Sequence, residues 1–161
     1  MRTTVLTIST ASARQQADDK SGTLLAHLAE DAGCQIVAAE VIPDDEPLIE
    51  DRIRHHVDDG VDLILTTGGT GLTADDVTPD ATRAVIERDA PGIAEALRAE
   101  SIRQTPHGML TRGVAGVAGR TLIVNLPGSP RALRELFPVI APVLEHAVAL
   151  VRSGSGSRDS H

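Results

Sequence analysis

Short, dense apolar runs alternate with stretches in which apolar residues recur every three or four positions, and this alternation organises the chain. Val5-Leu6-Thr7-Ile8, Gln35 to Ile42 and Val61 to Thr67 are runs of strand length, bounded by Ser, Pro, Asp or Gly. Bounded, β-branched runs of this kind read as strands. Between them, Leu24, Leu25, Leu28 and Ala32, and then Leu48, Ile49, Ile53 and Val57, repeat with the period of one helix face. Gly33 and Gly60 stand just past these patterns, where a glycine closes a helix. Thr78-Pro79 reads as the N-cap and first residue of a helix carrying Ala81, Val85 and Ile86. Pro91-Gly92 ends that helix, and Ile93 to Ile102 begins another. Leu110 to Val117 and Thr121 to Leu126 read as two strands around Gly119, and Arg131 to Val151 as a helix interrupted at Pro138 and Pro142. The Ser/Gly-rich residues 153–161 read as a disordered tail, leaving 1–152 as one domain.

Strand and helix in alternation predict an α/β fold: three layers around a mainly parallel, doubly wound sheet with right-handed crossovers and a short antiparallel edge element. Loops at the carboxyl ends of parallel strands share one edge, and ligands bind there. Ser9 to Ser12, Pro43 to Asp45, Gly68 to Asp76 and Pro127 to Ser129 are the loops so placed.

Composition narrows the function. Hydrophobic residues are 41% of the 161 but aromatics only 1%, so the core is aliphatic. The absence of Trp and Tyr and a net charge of −8 argue against nucleic-acid binding, which needs stacking platforms and basic patches. Cys34 is the sole cysteine, which excludes an internal disulfide and a cysteine-built metal site. No stretch reads as a membrane span and the first apolar run is too short for a secretory signal, so the expected compartment is the cytoplasm.

Thr67-Gly68-Gly69-Thr70-Gly71 closes the third strand, and glycines there let backbone N–H groups approach an anion; a plain tight turn would use the same residues. The loop has neither the Gly-Lys-Ser/Thr ending of a P-loop nor the spacing of G-x-G-x-x-G. Asp44 and Asp76 stand at the ends of two strands, where paired carboxylates could hold Mg²⁺ beside phosphates. Each also has an ordinary reading, Asp44 as a turn residue and Asp76 as a carboxylate ahead of a helix N-terminus. Lys20, the only lysine, precedes a helix and reads as a phosphate contact or a solvated turn charge; Arg112 reads as an edge residue or a phosphate fork. His55 and His56 are sequence neighbours without the i, i+4 spacing of a helical metal pair. No nucleophile elbow is present and no histidine is placed to activate a hydroxyl or thiol, so the nucleophile of any reaction would come from a substrate.

Several motifs stand in one order: Ile42-Pro43-Asp44-Asp45, Thr66-Thr67-Gly68-Gly69-Thr70-Gly71, Asp76-Val77-Thr78-Pro79-Asp80-Ala81-Thr82, Pro91-Gly92-Ile93-Ala94-Glu95-Ala96-Leu97-Arg98, Leu110-Thr111-Arg112-Gly113 and Asn125-Leu126-Pro127-Gly128-Ser129-Pro130. From about Thr3 to Leu150 the chain resembles the MoaB/Mog family of molybdenum cofactor biosynthesis proteins, which includes the molybdopterin adenylyltransferases. The resemblance implies a homotrimer that binds molybdopterin and Mg-ATP and transfers AMP to the molybdopterin terminal phosphate. It implies catalytic roles for Asp44 and Asp76, through Mg²⁺ and substrate placement. Thr67, Gly68, Gly69, Thr70 and Gly71 would cradle phosphate, and Leu126, Pro127, Gly128 and Ser129 would shape the nucleotide pocket. Ser9 and Arg112 match family residues near substrate. A molybdate-inserting enzyme of the same pathway is the implied downstream partner. The alternative within the family is a trimer that holds the pterin without catalysis.

Overall fold

The computed structural model describes residues 1–15 and 17–154. Its elements run β1 (Arg2–Ile8), α1 (Thr10–Ala13), α2 (Lys20–Asp31), β2 (Gln35–Ile42), α3 (Glu46–Asp58), β3 (Leu63–Thr67), α4 (Thr78–Val85), β4 (Arg88–Asp89), α5 (Pro91–Gln104), a 3₁₀ turn (Pro106–Leu110), β5 (Ala115–Ala118), β6 (Thr121–Leu126) and α6 (Pro130–Ser153). One six-stranded sheet has the order β2-β1-β3-β6-β5-β4. β2, β1, β3 and β6 are mutually parallel; β5 and β4 run antiparallel at the edge. The expected α/β class, with its antiparallel edge element, is the observed one.

Alternation along the central strands divides the core. Val5, Leu63, Leu65, Leu122 and Val124 face a layer that includes α2 and α6, while Leu6, Ile64 and Ile123 face α3 and α4. A strand buried on both faces reads as a continuous apolar run, which is why β3 stands out in the sequence. The chain crosses over β1 between β2 and β3, so the switch in strand order lies between β1 and β3, beside the loops that follow Ile8 and Thr67.

Local expectations are corrected at several points. Thr78 is not an N-cap: Val77 holds that position without a side-chain bond, and the Thr78 hydroxyl donates instead to the Gly68 carbonyl at 2.9 Å. The helix from Thr78 stops at Val85, and two residues of edge strand separate it from α5, where Pro91 begins the helix. Leu110 to Val114 is not strand; Arg98 holds this segment by donating to the Thr111 and Gly113 carbonyls. Pro138 and Pro142 do not interrupt α6. Both lie on its exposed side, where water can serve the carbonyls their missing N–H groups leave free, while Leu133, Phe137, Ile140 and Leu144 hold the opposite stripe in the core. By length and composition α6 would pass for a membrane span, contrary to the expectation that none would. Its packed stripe is that of a core helix. Ser153 ends α6 and Gly154 caps it; the rest of the expected disordered tail lies outside the described residues.

A partly buried polar cluster ties β1, β2 and α3 together. Glu40 accepts from Arg52 and contacts His56 Nε2 at 2.9 Å, and His56 Nδ1 lies 3.3 Å from the Thr4 hydroxyl. Burial alone would raise the Glu40 pKa, but the hydrogen bonds from Arg52 and His56 outweigh it and hold the carboxyl below its ordinary value of 4.5. A depressed folded-state pKa contributes stability above the unfolded value, and that stability is lost as pH falls through the folded one. Glu40→Gln should therefore flatten the acid limb of stability. Denaturant midpoints measured from pH 7 to pH 3 check this: the wild-type advantage should shrink below about pH 4.5, and a constant difference across the range would contradict it.

Candidate active site

The cleft is assembled from the carboxyl ends of β1, β2, β3 and β6. Gly68 and Gly69 form its floor, and their backbones require glycine, with φ of +98° and +68°. A Cβ on Gly68 would overlap the Ile8 carbonyl oxygen, so the β3 loop can lie against the end of β1 only because Gly68 has no side chain. Gly68 N donates to the Leu126 carbonyl and the Thr67 hydroxyl to the Pro127 carbonyl at 2.7 Å, which docks the β3 loop onto the β6 loop. Ser21 on α2 donates to the Gly128 carbonyl and adds a third element.

Two carboxylates overhang this floor. Asp44 Oδ2 accepts from the backbone N–H and the hydroxyl of Thr10, at 3.1 and 2.8 Å. Asp44 Oδ1 lies 3.4 Å from the position a Cβ on Gly69 would occupy. Asp76 Oδ2 accepts from Thr73 N and Thr73 Oγ1 at 3.0 and 2.9 Å, and lies 2.8 Å from the Cβ position of Gly71. Asp44 thus commits one oxygen to the start of α1 and Asp76 one to its own loop, and each keeps Oδ1 without a protein donor among the described residues. Hard oxygen donors with a free valence suit Mg²⁺, which takes one or two carboxylates and completes its shell with water and phosphate.

Both aspartates line one cavity of about 450 Å³, together with Ser9, Thr67, Gly68, Gly69 and Gly128. That volume lies in the range of small-molecule sites. Thr70, Gly71, Leu126, Pro127 and Ser129, expected with them from the same motifs, do not line this cavity. Thr70 and Leu126 are buried, and Ser129 caps α6 by accepting from Ala132 N. Ser9 likewise caps the short helix α1.

Arg112 braces the loop. Its guanidinium donates to Asp80 at 2.7 Å and to the Asp76 carbonyl at 3.0 Å, and its backbone N–H to the Thr70 carbonyl. The Arg112 hydrogen bond holds the Asp80 carboxyl below its usual range.

The role of Asn125 lies outside the sequence reasoning. Asn125 is buried: its amide donates to Thr66 and Thr82, both at 3.0 Å, and its oxygen accepts from Val114 N at 3.2 Å. Beside it Arg98, Ser101, Thr111 and Asn125 help line a cavity of about 30 Å³, the room of a water molecule. His55, His56 and Asp59 cluster as metal ligands would, but both nitrogens of His56 already face Thr4 and Glu40.

Fold and site together define a doubly wound domain with a glycine-floored, carboxylate-lined cleft at its switch point. The family described as "Probable molybdopterin binding domain" matches residues 4–146, and the chain belongs to that molybdopterin-binding family, the one that includes MoaB and Mog. The molybdopterin biosynthesis enzyme MoaB of Thermus thermophilus superposes with a TM-score of 0.89 at 44% identity, over 94% of this chain and 96% of that one. The molybdopterin adenylyltransferase of Haemophilus influenzae is 47% identical over 96 residues, 59% of this chain and 49% of that protein. The molybdenum cofactor synthesis protein cinnamon of Drosophila melanogaster is 41% identical over 150 residues, 91% of this chain and 25% of that protein. The chain spans less than two thirds of the length of these curated relatives.

Proposed function

We propose that the protein is a molybdopterin adenylyltransferase of molybdenum cofactor biosynthesis. The observation that carries this reading is the pair Asp44 and Asp76, each with one oxygen fixed and one free, above a loop whose glycines admit a phosphate. The likeness to the Haemophilus influenzae adenylyltransferase supports it.

In the proposed reaction a terminal phosphate oxygen of molybdopterin attacks the α-phosphorus of ATP. The new oxygen–phosphorus bond forms as the bond to the β-phosphate bridging oxygen breaks, and pyrophosphate carries away the electron pair. Such a transfer needs alignment and charge neutralisation rather than a protein nucleophile, in keeping with a cleft that offers carboxylates, hydroxyls and backbone groups. Mg²⁺, held at Asp44 and Asp76, would supply the neutralising charge. Gly68 and Gly69 keep the floor clear of side chains, and the docked β6 loop fixes the opposite wall. The reading includes assembly into a homotrimer, and Leu72, Met109 and Leu110 are exposed apolar residues available to such an interface. The adenylylated product would pass to a molybdate-inserting enzyme.

Calorimetric titration with ATP, with and without Mg²⁺, tests the reading. Mg²⁺-dependent binding that Asp44→Asn weakens is expected. Molybdopterin binding with no ATP binding would instead make the protein a pterin holder.

A further inference from the structure

The cleft poses an electrostatic problem for a polyanion: Asp18, Asp19, Asp44 and Asp76 all line it, against Lys20 as the single cation among the described residues. A second groove, of about 720 Å³, shares Asp18, Asp19, Lys20 and Pro130 with the cleft and is not lined by Asp44 or Asp76. Thr23, Leu24, His27 and Arg134 complete its lining. Lys20 therefore lines both, and Arg134 lines the groove alone.

The two shared carboxylates are not equivalent. Asp19 is engaged through both oxygens, Oδ1 by Gly22 N at 2.9 Å as the cap of α2 and Oδ2 by the Thr7 hydroxyl at 3.1 Å. Asp18 alone offers an exposed, uncommitted carboxylate. Against it stand Lys20 and Arg134, neither with a side-chain partner among the described residues, and the positive ends of two helices, α2 at Lys20 and the 24-residue α6 at Pro130.

We propose that cleft and groove form one bipartite site. The reacting phosphate lies over the glycine loop, while the polyphosphate end of the nucleotide crosses Lys20 and is received by Arg134. This rests on the adenylyl-transfer reading, and it assigns the groove to the leaving pyrophosphate, away from Asp44 and Asp76. Arg134 is then a positioning residue for the leaving group.

The test is calorimetric titration of the full chain with inorganic pyrophosphate at low ionic strength. Wild type should bind, and Arg134→Gln and Lys20→Gln should each weaken binding by about tenfold or more, the loss of a charge-assisted contact. Arg131→Gln, which removes an exposed guanidinium paired with Glu135, should leave binding unchanged. Asp18→Asn should tighten binding, a gain that a folding defect cannot imitate. Wild type that binds no pyrophosphate, an Arg134→Gln protein that binds it as wild type does, or an Asp18→Asn protein that binds no tighter would each overturn the proposal. Pyrophosphate binding through Arg134 without formation of adenylylated molybdopterin would uphold the groove and remove adenylyl transfer. Product formation with pyrophosphate binding indifferent to Arg134 would remove the groove alone.

Discussion

Asp76→Asn should reduce adenylyl transfer by roughly a hundredfold or more, the scale on which removing one fixed electrostatic group acts in a preorganised site. The substitution is selective by construction. Asp76 Oδ2 serves the loop by accepting from Thr73 N and Thr73 Oγ1. An asparagine oxygen can accept both bonds, so the turn between Thr73 and Asp76 keeps its geometry. What changes is the second oxygen, without a protein donor among the described residues, which becomes an amide that can neither ligate Mg²⁺ nor carry negative charge. Arg112 contacts the Asp76 main-chain carbonyl and the Asp80 carboxylate rather than the Asp76 side chain, so its brace also survives. Pyrophosphate release should fall by that factor with the unfolding midpoint nearly unchanged. Turnover equal to wild type would remove the role assigned to Asp76.

Gly68→Ala should have the largest effect on stability. A left-handed backbone costs a residue with a Cβ about 1–2 kcal/mol, and at Gly68 the backbone φ is +98°. Overlap of that Cβ with the Ile8 carbonyl oxygen adds to it, because the obstacle is the main chain at the end of the central strand β1 and cannot rotate away. The loop can relieve the clash only by giving up the Gly68 N–H bond to Leu126 or the Thr78 hydroxyl bond to the Gly68 carbonyl, each of which ties it to a neighbouring element. The total should exceed about 3 kcal/mol, in the tail reserved for backbone strain and broken buried networks. Chemical denaturation measures it. A loss under about 1 kcal/mol, on the scale of an ordinary surface change, would mean that the loop is not pinned as described.

The strand-end convergence was legible because its signals are local and steric. Parallel strands buried on both faces show as unbroken apolar runs, and the loops that follow them carry the Gly, Asp, Ser and Pro of tight turns. Asp44 and Asp76 could therefore be brought to one edge before any distance was known, and both line the same cavity. What the sequence left unread depends on distant partners. Thr78 looks like a cap until the Gly68 carbonyl is found next to its hydroxyl. Asn125 looks like a strand-end residue until Thr66, Thr82 and Val114 are seen to satisfy its amide. Pro138 and Pro142 look like breaks because sequence alone does not show that their side of α6 faces water. Arg112 looks like a substrate ligand or an edge residue with equal justice, and only the positions of Asp80 and the Asp76 carbonyl reveal the brace.

Adenylyl transfer itself is the central claim, and the direct measurement is to incubate the purified protein with molybdopterin and Mg-ATP and follow both products. Adenylylated molybdopterin and pyrophosphate appearing in equal amounts, and only when Mg²⁺ is present, is the predicted result. Molybdopterin bound stoichiometrically while ATP remains intact would contradict it and leave a pterin-holding protein in its place.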